Sequence, residues 1–196
     1  MTVIENQEQA NRFLSALGEQ LAAAGERFEL VVVGGSGLLA LGEIERSTRD
    51  VDLVALRNGE RLGTAQPLPG PLRRAAERVA RDFGLDAGWL NGGPTSLLDF
   101  GLPEGFLGRL DSRSYGEALA VHFASRYDQI HFKLYAMVDE GGPGKHEQDL
   151  RALAPSEAEL LAAARWSLTH DVSEGYRENL VKALEHLGVS DAGLRA

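Results

Sequence analysis

The 196-residue chain has no cysteine. That excludes a disulfide framework and any thiolate metal site. It also has no apolar run approaching the roughly 18 residues of a membrane span. The opening stretch, residues 1–13, is polar and acidic, unlike a signal or transit peptide. The expectation is a cytoplasmic protein without membrane contact. Positive charge is scarce as well: 20 Lys and Arg stand against 29 Asp and Glu, a formal net charge of -9. A broad nucleic-acid-binding surface, which draws on many basic phosphate contacts, is therefore not expected. A local basic cleft stays open. Arg73, Arg74, Arg78 and Arg81 share one expected helix, but Glu77 and Asp82 are interleaved, which reads as a solvated face.

What is present suffices for a core. The chain is 43% hydrophobic, enough for one domain or for a core with a helical extension. Glu5 to Ala24 has the apolar spacing of an amphipathic helix, with Phe13, Leu14, Leu17 and Leu21 inward and Gly25 as its stop. Leu30–Val33 is a short continuous apolar run, the mark of a buried strand. Gly34-Gly35-Ser36-Gly37 follows, then a short helix expected from Leu38 to Ile44. Glycines after a strand let the backbone approach a ligand, and a helix N-terminus attracts anions. A plain tight turn with Ser36 as N-cap fits the same letters.

Asp50-Val51-Asp52-Leu53-Val54-Ala55-Leu56 reads as the next strand. Residues two apart on a strand face one side, so Asp50 and Asp52 present their carboxylates together. Such a pair repels itself unless a cation or proton lies between. The other reading has Asp50 capping the loop and Asp52 facing solvent on an edge strand. Gly35-x-Gly37-x-x-Ala40 formally fits a dinucleotide fingerprint. In that fold, however, the acid lies at the far end of a parallel strand, and the helix here is short for a parallel crossover. Acids at the start of the second strand meet the glycines only if that strand runs antiparallel to the first. A Walker phosphate loop is excluded because no Gly-Lys-Ser/Thr follows the glycines.

Farther on, a helix is expected from Leu72 to Phe83. Leu85 to Leu110 reads as irregular but packed through Trp89, Leu90, Phe100 and Phe106. Glu117 to Ser125 alternates as a strand, with Ala118, Ala120 and His122 on one face. Tyr127 to Met137 reads as a helix in which Lys133 either snorkels to solvent or aims at an anionic ligand. A glycine-rich loop, 139–145, precedes an all-helical end in which Ser156 and Glu159 form a capping box.

A glycine pair, a gap of thirteen residues from Gly37 to Arg49, and Asp50-Val51-Asp52-Leu53 together resemble the signature of the nucleotidyltransferase superfamily, the DNA-polymerase-beta-like fold. Arg46-Ser47-Thr48-Arg49-Asp50-Val51-Asp52-Leu53, Lys133-Leu134-Tyr135-Ala136, and Lys145 with Asp149-Leu150 are similar to an uncharacterised bacterial branch related to AbiEii-type toxins. His146 departs from that branch, which usually has Asp there. The resemblance implies an α/β (α+β) fold, a small mixed sheet flanked by helices. It covers roughly residues 10 to 165, and the expected division is a core at 1–145 with a helical extension at 146–196 packed on it. It implies a Mg2+ (or Mn2+) ion on Asp50 and Asp52 and a nucleoside triphosphate (NTP) at Gly34, Gly35, Ser36, Arg46 and Lys133. The implied reaction moves a nucleotidyl group to a hydroxyl of a tRNA, a protein or a small molecule, with Asp50, Asp52 and Lys133 as the catalytic set. A protein partner in a toxin–antitoxin or defence context is also implied. Active members carry a third acid on a later strand; here the candidates for that acid or base are Glu117 and His122. Without one, the alternative is a catalytically inactive module that binds nucleotide or a protein.

Overall fold

The apolar strand Phe28–Val33 (β1) lies in the middle of a six-stranded sheet. On one side it pairs in parallel with Leu119–Phe123 (β6), and on the other antiparallel with Val51–Asn58 (β2). The computed structural model describes residues 2–142 and 144–190. In it the chain packs as two compact units, Met1–Ser125 and Arg126–Ala196. Pro143 of the expected glycine-rich loop lies outside the described residues, as do 191–196.

The first unit holds the sheet. β2 continues through a tight hairpin into Arg61–Gly63 (β3), and its opening residues also pair in parallel with Leu90–Asn91 (β4). Asp111–Ser114 (β5) closes the opposite edge against β6, giving the order β3-β2-β1-β6-β5. The antiparallel run of β2 removes the dinucleotide reading. The mixed α/β class expected from the sequence is what is found.

Three helices accompany the sheet. Gln7–Ala23 (α1) is capped by Asn6, whose side chain accepts from the Gln9 N–H at 2.9 Å. It buries Phe13, Leu14, Leu17 and Leu21. A Cβ on Gly18 would lie 2.1 Å from the Tyr115 carbonyl oxygen, so only glycine lets α1 approach that closely. Gly34–Leu41 (α2) follows β1 without a linker, and Gly70–Phe83 (α3) is amphipathic, burying Leu72, Ala75, Ala76 and Val79. Two short 3-10 turns, Gly93–Leu98 and Phe106–Arg109, occupy the stretch expected to be irregular. Trp89, Leu90 and Phe106 are buried there as expected, whereas Phe100 is 64% exposed.

The second unit is four helices: Arg126–Asp139 (α4), Lys145–Leu153 (α5), Glu157–His170 (α6) and Glu174–His186 (α7). It begins at Arg126, so α4 groups with the C-terminal helices and not with the expected 1–145 core. The Ser156–Glu159 capping box is formed in full. Arg126 ties α4 to the other helices, donating to the Leu153 carbonyl at 2.8 Å and to Glu159 Oε1 at 2.6 Å. Trp166 on α6 meets Phe132 and Tyr135 of α4 edge-on, with ring centroids 5.5 and 6.0 Å apart. Among the described residues, no helix is long and apolar enough to cross a membrane.

Candidate active site

The site begins where β1 turns into α2. Val33 is extended (φ -127°, ψ -175°) and serves as N-cap, and the helix starts at Gly34, four residues earlier than expected. Ser36 is consequently inside the first turn and is not the cap. Its side chain is buried, and its hydroxyl has no hydrogen-bond partner. The glycines do not precede the helix; they are its positive end.

β2 brings the carboxylates to that end. Val31 pairs with Ala55, but Val32 pairs with Leu53, so Val54 is an extra residue and β2 bulges there. Past the bulge, Asp52 lies opposite Val33. Gly34 takes φ +76°, and a Cβ built on it would be 2.8 Å from Asp52 Oδ2. Asp52 therefore faces the glycine turn, as the antiparallel argument requires. Its other oxygen, Oδ1, accepts from Asn91 Nδ2 at 3.0 Å, and Asn91 Oδ1 in turn accepts from the Gly93 N–H at 2.9 Å. The two bonds fix which way the Asn91 amide points.

The preceding loop completes the arrangement. Thr48 Oγ1 donates a long hydrogen bond, 3.3 Å, to Asp50 Oδ1. The same oxygen would lie 3.3 Å from a Cβ on Gly35, and Arg46 Nη2 3.1 Å from it. Arg46, Thr48 and Asp52 thus converge on the first turn of α2. The loop is held from outside by Ile4, which exchanges both backbone hydrogen bonds with Thr48 at 2.8 and 2.9 Å and is itself fully buried.

The other candidates lie elsewhere. β6 starts level with β1, Leu119 opposite Phe28, so Glu117 is at the end of the sheet away from Gly34. His122 pairs with Val31 and so shares the face of Asp52, but its ring is engaged: Nε2 lies 3.0 Å from Glu29 Oε2 and Nδ1 2.7 Å from Ser112 Oγ. Lys133 is in the second unit. There its ammonium is 2.7 Å from Asp149 Oδ2, with the side chains 4% and 1% exposed. The two elements of the C-terminal motif therefore meet as one buried ion pair. Nearby, burial, and after it the Lys133 charge, lowers the pKa of His146, while Glu140 works against them.

Among the described residues, no group of three or more His, Asp or Glu is placed to hold a metal ion. Asp52 lies against the first turn of α2, and Asp50 is held to Thr48, which lies against the same turn. The two carboxylates are hard oxygen donors of the kind that suit Mg2+, an ion that commonly takes one or two carboxylates and completes its shell with water and substrate phosphates. Asn91 and Thr48, which donate to Asp52 and Asp50, are residues that the reading of the sequence did not single out. Asn91 had a local signal, an Asn-Gly-Gly turn after two apolar residues, but nothing local tied it to Asp52.

Comparison with known proteins bears on the family and the fold. A family model described as nucleotidyltransferase of unknown function (DUF6036) matches residues 12–152. No curated protein matches significantly. Among solved structures, an antigenic nucleotidyltransferase-like protein from Paracoccidioides brasiliensis is similar, with TM-score 0.51 and 13% identity over 100% of this chain and 95% of that one. At that identity the likeness concerns the fold alone. The family match, by contrast, spans most of the chain, site and sheet included, and the chain belongs to this nucleotidyltransferase family.

Proposed function

We propose that the chain binds a divalent-cation complex of an NTP and transfers its nucleotidyl group to a hydroxyl acceptor. The observation that carries this reading is the pairing of Asp52 with Val33, which sets one carboxylate against the glycine turn; Thr48, at the same turn, holds Asp50. Asp50 and Asp52 would hold Mg2+, which when bound neutralises phosphate charge and polarises the phosphorus centre. The chain's own part is positioning. The first turn of α2 offers its positive end to the phosphates. Arg46 adds a planar fork suited to phosphate oxygens, and the Asn91 amide holds the Asp52 carboxylate in place.

In the test, Mg2+ and an NTP together raise the melting temperature, and Asp50→Ala with Asp52→Ala abolishes the shift. No shift with any of the four NTPs sinks the proposal.

A second reading, nucleotide binding without turnover, is favoured by one feature. The face of β6 that meets Asp52 across β1 carries Ala120 and His122, with no carboxylate, and His122 already serves Glu29 and Ser112. Pyrophosphate release above the background of the double Asp variant would decide for transfer. The likeness of Arg46–Leu53 to the toxin branch supports a place in a toxin–antitoxin pair. Growth arrest on expression, lifted by the Asp variants, is the expected sign.

A further inference from the structure

The polar chain around His122 is more than the filling of a sheet face. Four residues from four strands meet there: Glu29 of β1, Arg57 of β2, Ser112 of β5 and His122 of β6. Ser112 and His122 are cross-strand partners. The Glu29 carboxylate, 3.0 Å from Nε2, requires the imidazole proton on that nitrogen. Nδ1 is then a lone pair, and an Arg57 N–H donor lies 3.4 Å from the same nitrogen. The Ser112 hydroxyl, 2.7 Å away, donates to that lone pair. The order is therefore hydroxyl, imidazole, carboxylate, with the imidazole buried and the serine on the exposed edge strand.

We infer that Ser112 is an activated nucleophile and that these residues form a second reactive centre, one that takes the acyl group of small carboxylic esters. His122 acts as base through Nδ1, and Glu29 is a positioning residue that fixes the tautomer and stabilises the imidazolium. The nitrogen roles are swapped relative to the serine-protease triad, which geometry and not atom name decides. Arg57 supplies the positive charge for the oxyanion. Its guanidinium is anchored by Nε donating to the Gly59 carbonyl at 2.7 Å. A cleft of about 540 Å3 lined by Glu29, Arg57, Ser114 and Ala120 lies alongside; Ser112 and His122 are two residues farther along β5 and β6 and are not part of its lining.

The step balances without a further reagent. Ser112 Oγ bonds to the ester carbonyl carbon, and its proton passes to Nδ1. The carbon–alkoxide bond breaks, and the alcohol leaves with that proton. Water then repeats the sequence on the acyl-serine and releases the acid.

The test uses the full chain with two reagents, a fluorophosphonate and p-nitrophenyl acetate, read by intact mass and peptide mapping. The expected result is a single adduct on Ser112 with each. It is absent in Ser112→Ala and forms at least about 100-fold more slowly in His122→Gln, in line with the worth of a positioned base. Glu29→Gln, a change on a half-exposed side chain, should slow labelling while leaving the fold intact. The 15N spectrum of His122 should show the Nε2–H tautomer in the parent chain and a mixture in Glu29→Ala, a readout that simple destabilisation does not move. No adduct on Ser112 with either reagent, or equal rates in the parent chain and His122→Gln, would overturn the inference.

Discussion

Replacing Lys133 by methionine separates a lysine that holds the fold from one that waits for a ligand. Its ammonium and the Asp149 carboxylate are 2.7 Å apart, with both side chains almost sealed from water. Removing one member leaves the other as a charge in a low-dielectric interior. Breaking such a pair costs about 3–5 kcal/mol, whereas replacing both members with apolar groups is often close to neutral. With a urea slope of about 2 kcal/mol per molar, the single variant should lower the unfolding midpoint by roughly 1.5–2.5 M. Lys133→Met with Asp149→Leu should recover most of that loss. The assay can watch the second unit alone. The chain has two tryptophans, Trp89 in the first unit and Trp166 in the second, so 19F NMR of 5-fluorotryptophan-labelled protein gives one reporter for each. The Trp166 transition should move, and the double variant should restore it. A Trp166 midpoint within about 0.5 M of the parent in Lys133→Met would refute the structural role and return the lysine to ligand binding.

Gly34→Ala should be worse than Gly35→Ala. The first forces an L-residue to φ +76°, costing about 1–2 kcal/mol, and drives a methyl to 2.8 Å from Asp52 Oδ2. The second meets the movable end of Arg46 at 3.1 Å and the Thr48 hydroxyl at 3.3 Å, with no strained φ. The melting temperature of Gly34→Ala should fall by about 2–8 °C, and its Mg2+–NTP shift should vanish. Acid should loosen the second unit through Glu159, whose pKa the Arg126 guanidinium, helped by Ser156, holds at about 2 against an ordinary 4.5, with burial opposing. Because the folded-state value is depressed, the stabilisation is complete above pH 4.5 and is lost as pH falls towards 2. Allowing for solvent screening of this partly open pair, it is worth on the order of 1–2 kcal/mol. Thermal melts between pH 5 and 2 should show that loss in the parent chain and a flatter profile in Glu159→Gln.

The parts of this fold that could be read in advance are those where local and long-range demands coincide. Asp50 and Asp52 at the head of an apolar strand, just after a glycine turn, left an antiparallel second strand as the arrangement that joined them, and β2 has it. The helices were legible from period and caps: Gly25 follows the end of α1 and the Ser156–Glu159 box opens α6. β3, β4 and β5 were missed because they are edge strands of two to four residues. Asp-Ser-Arg-Ser in β5 has no apolar alternation to show that it pairs with β6. The start of α2 was misplaced because glycines read as a turn, although here they are its first residues. In the second unit, Lys133 in an apolar helix was ambiguous by itself. Its partner lies on the next helix, and only packing brings the two charges together.

The bulge at Val54 makes the site a matter of parity. Asp52 and Arg57 are an odd number of residues apart, yet both belong to the face of Val31 and Val33, because one residue between them is not counted in the pleat. Deleting Val54 would remove the bulge and leave a regular strand in which Asp52 still lies opposite Val33 and Arg57 keeps its face. One residue added beside Val54 poses the opposite problem, because the strand must then absorb two uncounted residues or let one end slip out of phase. If the Ala55–Arg57 end kept its pairing and only one residue bulged, Asp52 would rotate to the opposite side of the sheet. A single-residue insertion should thus silence Asp52 without removing it.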